Sequence, residues 1–132
     1  MNNYLREFQE FLLRNDIQQF TAQEVLYPGG LPWATEKFPK AELWPNIIPV
    51  LKLLEMFTNQ TSARIRVLSV FRPEVDQYNH YLFDAVDFEV DEKDQGKLQA
   101  LRKMRDDGLF KGGLDIHATR VHIDTRGENK DF

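Results

Sequence analysis

The sequence predicts an α+β fold, a small and mainly antiparallel sheet with helices packed on one side. Two observations carry this. Apolar residues recur at helical spacing up to about residue 58, and from Ile65 onward the period falls to two in short stretches. The resulting order is helices first, then strand, strand, helix, strand, strand.

Each element has its own signal. Tyr4, Phe8, Phe11 and Leu12 share one face of a helix over residues 3–14. Thr21-Ala22-Gln23-Glu24 is a capping box: the Thr side chain accepts from a backbone N–H while Glu reaches back, so a short helix starts there. Residues 27–40 hold Pro28, Gly29, Gly30, Pro32 and Pro39 and read as a long loop. A second amphipathic helix covers about residues 46–58, with Ile47, Leu51 and Leu54 on one face. Pro45 and Pro49 fit only near its first turn, where backbone N–H groups lack partners. Ile65, Val67 and Ser69 alternate with Arg66, Leu68 and Val70 in a strand with both faces partly buried. In the strand 85–90, Val86, Phe88 and Val90 take one face, Asp87 and Glu89 the other. Asp91-Glu92-Lys93-Asp94 opens a helix, its acidic residues favoured by the helix dipole, and Gly108 ends it after Asp107. Gly112-Gly113 is a turn, and residues 114–116 and 120–124 are two short strands.

Composition bounds the function. The 132 residues form one domain, 1–132, long enough to bury roughly two thirds of the surface of its unfolded chain. Acidic residues outnumber basic ones, 21 against 17, for a net charge of -4, which opposes a general nucleic-acid binder. No apolar run approaches the ~20 residues of a membrane span, so no membrane partner is expected. The start, Met1-Asn2-Asn3-Tyr4-Leu5-Arg6-Glu7, does not read as a secretory signal. Cysteine is absent, which excludes disulfides, thiolate metal sites and cysteine nucleophiles.

The chemistry-bearing residues gather in the second half. The only histidines are His80, His117 and His122. His80 lies in the turn leading to the strand that carries Asp87, and His122 shares a strand face with Asp124. If those two strands pair, His80, Asp87 and His122 converge. Two imidazoles and one carboxylate with a fourth position open is the coordination of a catalytic zinc. Spacing alone leaves other readings open. Asp87 between Val86 and Phe88 also suits a solvent-facing carboxylate, and His122 between Val121 and Ile123 a satisfied histidine at a sheet edge. The clusters Arg64/Arg66 and Arg102/Arg105 read as solvated faces.

Leu68-Ser69-Val70-Phe71-Arg72-Pro73-Glu74, then His80 with Asp87, then Gly112-Gly113-Leu114 and Val121-His122-Ile123-Asp124-Thr125-Arg126-Gly127 form a further pattern. Together they resemble the zinc D-alanyl-D-alanine carboxypeptidase superfamily of peptidoglycan peptidases, which also holds phage endolysins, vancomycin-resistance D,D-dipeptidases and the hedgehog signalling domain. Phe20-Thr21-Ala22-Gln23-Glu24-Val25-Leu26 is similar to that family's N-terminal part, so the resemblance spans about residues 20–128. It implies a hedgehog-like fold and Zn2+ held by His80, Asp87 and His122. It implies proton transfer by His117, substrate carbonyl or carboxylate binding by Arg72, and Asp124 orienting an imidazole by accepting its other N–H. The chain departs from the family in the short segment between Arg72 and His80, in Tyr78 where a serine is common, and in Asp84 where an arginine is usual. The expected function is a zinc metallopeptidase, carboxypeptidase or endopeptidase, hydrolysing peptidoglycan stem peptides in the periplasm or cell wall. A non-hydrolytic zinc domain binding a peptide or protein partner is one alternative. A metal-free α+β binding module is the other.

Overall fold

The computed structural model describes residues 2–28 and 38–132. The middle of the predicted loop, residues 29–37, lies outside the described residues. Helix α1 (Asn2–Arg14) buries Phe8 and Leu12 completely and half-buries Tyr4, Leu5 and Phe11. Asp16, in the left-handed region at φ 61°, turns the chain so that Ile17 plugs the core. Helix α2 (Ala22–Leu26) opens on the capping box, with Thr21 accepting from the Glu24 N–H and Glu24 accepting from the Thr21 N–H. A 3₁₀ segment (Ala41–Asn46) takes up Pro45, and α3 (Ile47–Thr61) follows with Pro49 in its first turn, where no ladder bond is lost. Seven residues of α3 are buried, and Ser62 ends it at φ 60°.

Aromatic rings join these helices. Trp44 packs edge-on against Tyr4 and Phe8 at 5.3 and 5.1 Å and tilted on Phe11 at 5.5 Å. Its indole N–H donates to the Tyr4 hydroxyl at 2.9 Å, and that hydroxyl donates to the Pro39 carbonyl. Each such ring contributes roughly 1.5–3 kcal/mol of burial, so this cluster anchors the helical half.

Five strands make one open sheet in the order β1-β2-β4-β3-β5. They are β1 (Ile65–Ser69), β2 (Ala85–Val90), β3 (Gly113–His117), β4 (Arg120–Asp124) and β5 (Lys130–Asp131). All neighbours are antiparallel except β3 and β5. The alternation read from sequence sets the faces. Val86, Phe88, Val121, Ile123 and Leu114 turn to the core, where Phe57 of α3 meets Phe88 with ring centroids 6.4 Å apart. Asp87, Asp115 and His122 share the opposite face. No helix among the described residues is long and apolar enough to cross a membrane.

Four features differ from the expectation. Gly112-Gly113 does not form the predicted turn: Gly113 already belongs to strand β3, and the backbone at Gly112 runs tight against β4. The predicted helix after Asp91 starts as a 3₁₀ run (Glu92–Leu98) and becomes α-helical only in α4 (Gln99–Asp106). Gly96 lies in its middle, and glycine loses the most backbone entropy in a helix. Arg105 is buried, not solvated, because its guanidinium reaches the carbonyls of Gly112 and Lys130, each at 3.1 Å. Strand β5 gave no signal, since two residues carry no period.

Between α4 and β3 the backbone comes very close to β4. A Cβ on Gly112 would lie 1.7 Å from the Asp124 carbonyl oxygen. Gly112→Ala must therefore push β3 and β4 apart. The expected cost is at least ~1–3 kcal/mol, typical of overpacking, read as a lower midpoint in denaturant unfolding; an unchanged midpoint would refute the close approach.

Candidate metal centre

The β2–β4 register builds the centre. Asp87 stands directly opposite His122, and a slip of one residue would send one of them into the core. His80 arrives from a separate turn. A 3₁₀ segment (His80–Leu82) is bracketed by Asn79 at φ 67° and Phe83 at φ 59°. The fully buried Phe83 ring and a bond from Asn46 Nδ2 to the Leu82 carbonyl (2.8 Å) hold it down. His80, Asp87 and His122 each offer one ligand atom, and the three atoms lie within 4.8 Å of one another.

The hydrogen bonds assign the ring nitrogens. His80 Nδ1 is 2.7 Å from the Val70 carbonyl, which can only accept, so Nδ1 carries the hydrogen. In the neutral ring Nε2 is then a bare lone pair. It is buried, has no hydrogen-bond partner among the described residues, and faces Asp87 Oδ1 at 3.2 Å, close but not aligned as a hydrogen bond. Two acceptors in contact need a positive charge between them. His122 repeats the pattern. Its Nε2 is 2.8 Å from Asp124 Oδ2 and its Nδ1 is 2.8 Å from Asp87 Oδ1. A proton on each ring, or one cation shared by all three groups, would satisfy both contacts.

The electrostatics agree. Burial pushes the Asp87 carboxyl up, but the His122 hydrogen bond and the nearness of His80 outweigh it and hold it well below the usual carboxylate range. Burial alone would lower His122; its bonds to Asp124 and Asp87 push it up instead. Asp124 is fully buried, yet bonds from His122, Arg126 and the Gly113 N–H keep it well below its ordinary value. Arg126 grips Asp124 with Nε at 3.0 Å and Nη2 at 2.7 Å, and also donates to the Gln77 carbonyl at 2.7 Å. So Asp124 is a fixed acceptor that turns the His122 ring and leaves Nδ1 toward Asp87. Two imidazoles and one carboxylate, oriented this way, fit a divalent cation.

A cavity of about 410 Å³ opens beside the centre, bordered by Arg72, Tyr78, Asp87, Asp115, His117, Arg120 and His122. Arg72 Nη2 is 4.0 Å from both Asp76 Oδ2 and Asp87 Oδ2, so it forms no close pair and stays half-exposed over the cavity. The required reversal after His117 is a two-residue turn at Ala118-Thr119, with Ala118 at φ 55°. His117 and His122 therefore share a sheet face as diagonal neighbours, with Arg120 opposite His117. A second cavity, of about 230 Å³, lies on the far side of Leu68 and Arg72 and has no histidine among its described lining residues.

Sequence reasoning missed three groups. Asp115 is paired directly with His122, nearer to it in register than His117 is. Period two counted back from His117 would have put Asp115 on the same face. Tyr78 and Phe132 place their rings 5.4 and 5.2 Å from the His122 ring, and only the folded chain brings them there.

Comparison with protein-family models, with curated proteins and with solved structures found no match to this chain.

Asp84, adjoining the centre, carries a cost. It is half-buried, its Oδ1 is without a partner among the described residues, and its Oδ2 accepts from Asn79 at 3.4 Å. Burial, then the Asp124 charge, push its carboxyl up. A folded-state pKa above the unfolded one means the ionised fold is penalised at neutral pH, and that the penalty fades as pH falls through the raised value. Asp84→Asn should raise stability at pH 7 by about 1 kcal/mol, with the advantage shrinking toward acid pH. Unfolding midpoints of both proteins across pH check this; a less stable variant at pH 7 would reverse the sign.

Proposed function

We propose that this chain is a zinc-dependent peptidase that hydrolyses peptide bonds in peptidoglycan stem peptides, built on the hedgehog and zinc D,D-peptidase type of fold and acting at the cell wall. The observation that carries the proposal is the buried His80 Nε2, without a hydrogen-bond partner among the described residues, facing Asp87 Oδ1, with His122 Nδ1 on the same oxygen. Zinc suits this donor set of two nitrogens and one oxygen without thiolate. When bound, the ion supplies an acidified water and a positive charge against a carbonyl oxygen.

The chain's own groups do the rest. Arg72, loosely held over the cavity, is placed to receive a carbonyl or terminal carboxylate of the substrate in its planar fork. Asp115 and His117 border the same cavity and are the groups able to take a proton there and return it to the leaving amine. Asp115, opposite His122, is the nearer in register; His117, at the strand end, is the more exposed. Asp124 holds the His122 ring and carries no proton itself.

One observation favours the non-hydrolytic alternative. The short segment after Arg72 sets the Tyr78 ring against the His122 ring, on the wall of the cavity where a substrate would enter. Activity on purified peptidoglycan separates the two readings.

The protein should bind about one zinc per chain, and His122→Ala should remove most of the affinity, since three protein ligands leave none spare. Elemental analysis and titration that find no uptake would end the metal reading. Arg72→Lys should keep zinc but lower turnover or substrate binding; loss of zinc in that variant would make the arginine structural. His117→Ala and Asp115→Asn should each keep fold and zinc, and the one that carries the proton should lose ~10²–10⁴-fold in turnover. If both variants retain full turnover, neither residue has the role.

A further inference from the structure

Phe132 touches the metal centre, and nothing in the motifs of the chain assigns it a part there. Its ring stands edge-on to His122, at 5.2 Å between centroids and 87° between planes, and lies tilted on Tyr78 at 4.9 Å. Arg126 and Lys130 sit over the same ring at 5.1 and 5.2 Å.

Distant parts of the sequence hold this ring in place. Gly113 leaves room for it, since a Cβ there would come 2.8 Å from Phe132 Cε2. Strand β5 pairs with β3 just before it. Arg105 ties that strand down through the Lys130 carbonyl and the Asp131 carboxylate. Burying a guanidinium is costly, and β5 is only two exposed residues long, so the sheet gains little from it. What the tether secures is the position of Phe132.

The need for it follows from the His122 bonds. The imidazole turns about its Cβ–Cγ bond, and the acceptors at Nδ1 and Nε2 restrain that turn only as tightly as hydrogen bonds do, over a broad range of angles. An edge-on neighbour narrows that range.

We infer that Phe132 is a positioning residue of the metal centre: with Tyr78 it fixes the orientation of the His122 ring, so that Nδ1 points at the site shared with Asp87 and His80. The inference rests on the metal reading above and is independent of peptidase activity.

The test uses the full chain with Phe132→Ala, Phe132→Leu and Phe132→Tyr. Zinc affinity is measured by chelator competition, and cobalt(II) replaces zinc to report ligand geometry through its visible absorption bands. In Phe132→Ala, zinc affinity should fall about tenfold, the lower end for removing support from a ligand, and the cobalt bands should shift. Phe132→Tyr should restore both. Phe132→Leu keeps apolar bulk without the ring; it should retain the wild-type unfolding midpoint and still show shifted cobalt bands. Wild-type affinity and bands in Phe132→Ala, or in Phe132→Leu should the alanine variant not fold, would overturn the inference and leave the metal centre standing. Failure of the unmodified chain to take up either metal would overturn both.

Discussion

Across the two central strands Asp87 faces His122, and the same carboxylate oxygen receives His80 from a turn that precedes its own strand. One register and one turn therefore bring to His122 two residues that lie 35 and 42 positions before it in the chain. The groups next to it are arranged around that oxygen. Val70 gives up its carbonyl to orient one ring, Asp124 orients the other, and Arg126 holds Asp124. The core face of β2 and β4 keeps the register: shifting it by one residue would bury Asp87 and expose Val86 and Phe88.

The balance of charge explains why such a cluster persists. One buried carboxylate, one half-buried carboxylate and two buried imidazoles oppose folding by several kcal/mol unless each is paired. Asp124 is paired fully, by two Arg126 contacts, a backbone N–H and His122. Asp87 is held more loosely, by His122 Nδ1 at 2.8 Å, by His80 Nε2 at 3.2 Å without hydrogen-bond alignment, and by Arg72 at 4.0 Å. These three ligand-bearing groups, His80, Asp87 and His122, could share one cation.

The segment from Arg72 to Asn79 ties the cavity wall to the sheet. Its hold is the bond from Arg126 to the Gln77 carbonyl, so one arginine links the outer carboxylate to the loop that carries Tyr78. Arg105 does the same for the last strand, and through it for Phe132. The centre, the loop and β5 are therefore mechanically one unit.

Local physics was enough for much of this. The capping box at Thr21 and the alternation around Asp87 and His122 act over a few residues and are legible without the fold. The convergence of His80, Asp87 and His122 was legible too, on the single condition that β2 and β4 pair. The sequence could not decide what depends on long-range packing. Arg105 looked solvated because its partners, two carbonyls and the Asp131 carboxylate, lie 7 to 26 residues away, where no local pattern connects them. Phe132 carried no signal, and Tyr78 stood out only as a departure from the family pattern, because an aromatic ring acquires a role only from what it lies against. The sequence by itself determined which residues form the strands and which groups can ligate. Only the tertiary structure decided which lone pairs go unanswered, because that depends on the distance and angle between groups that no local rule connects.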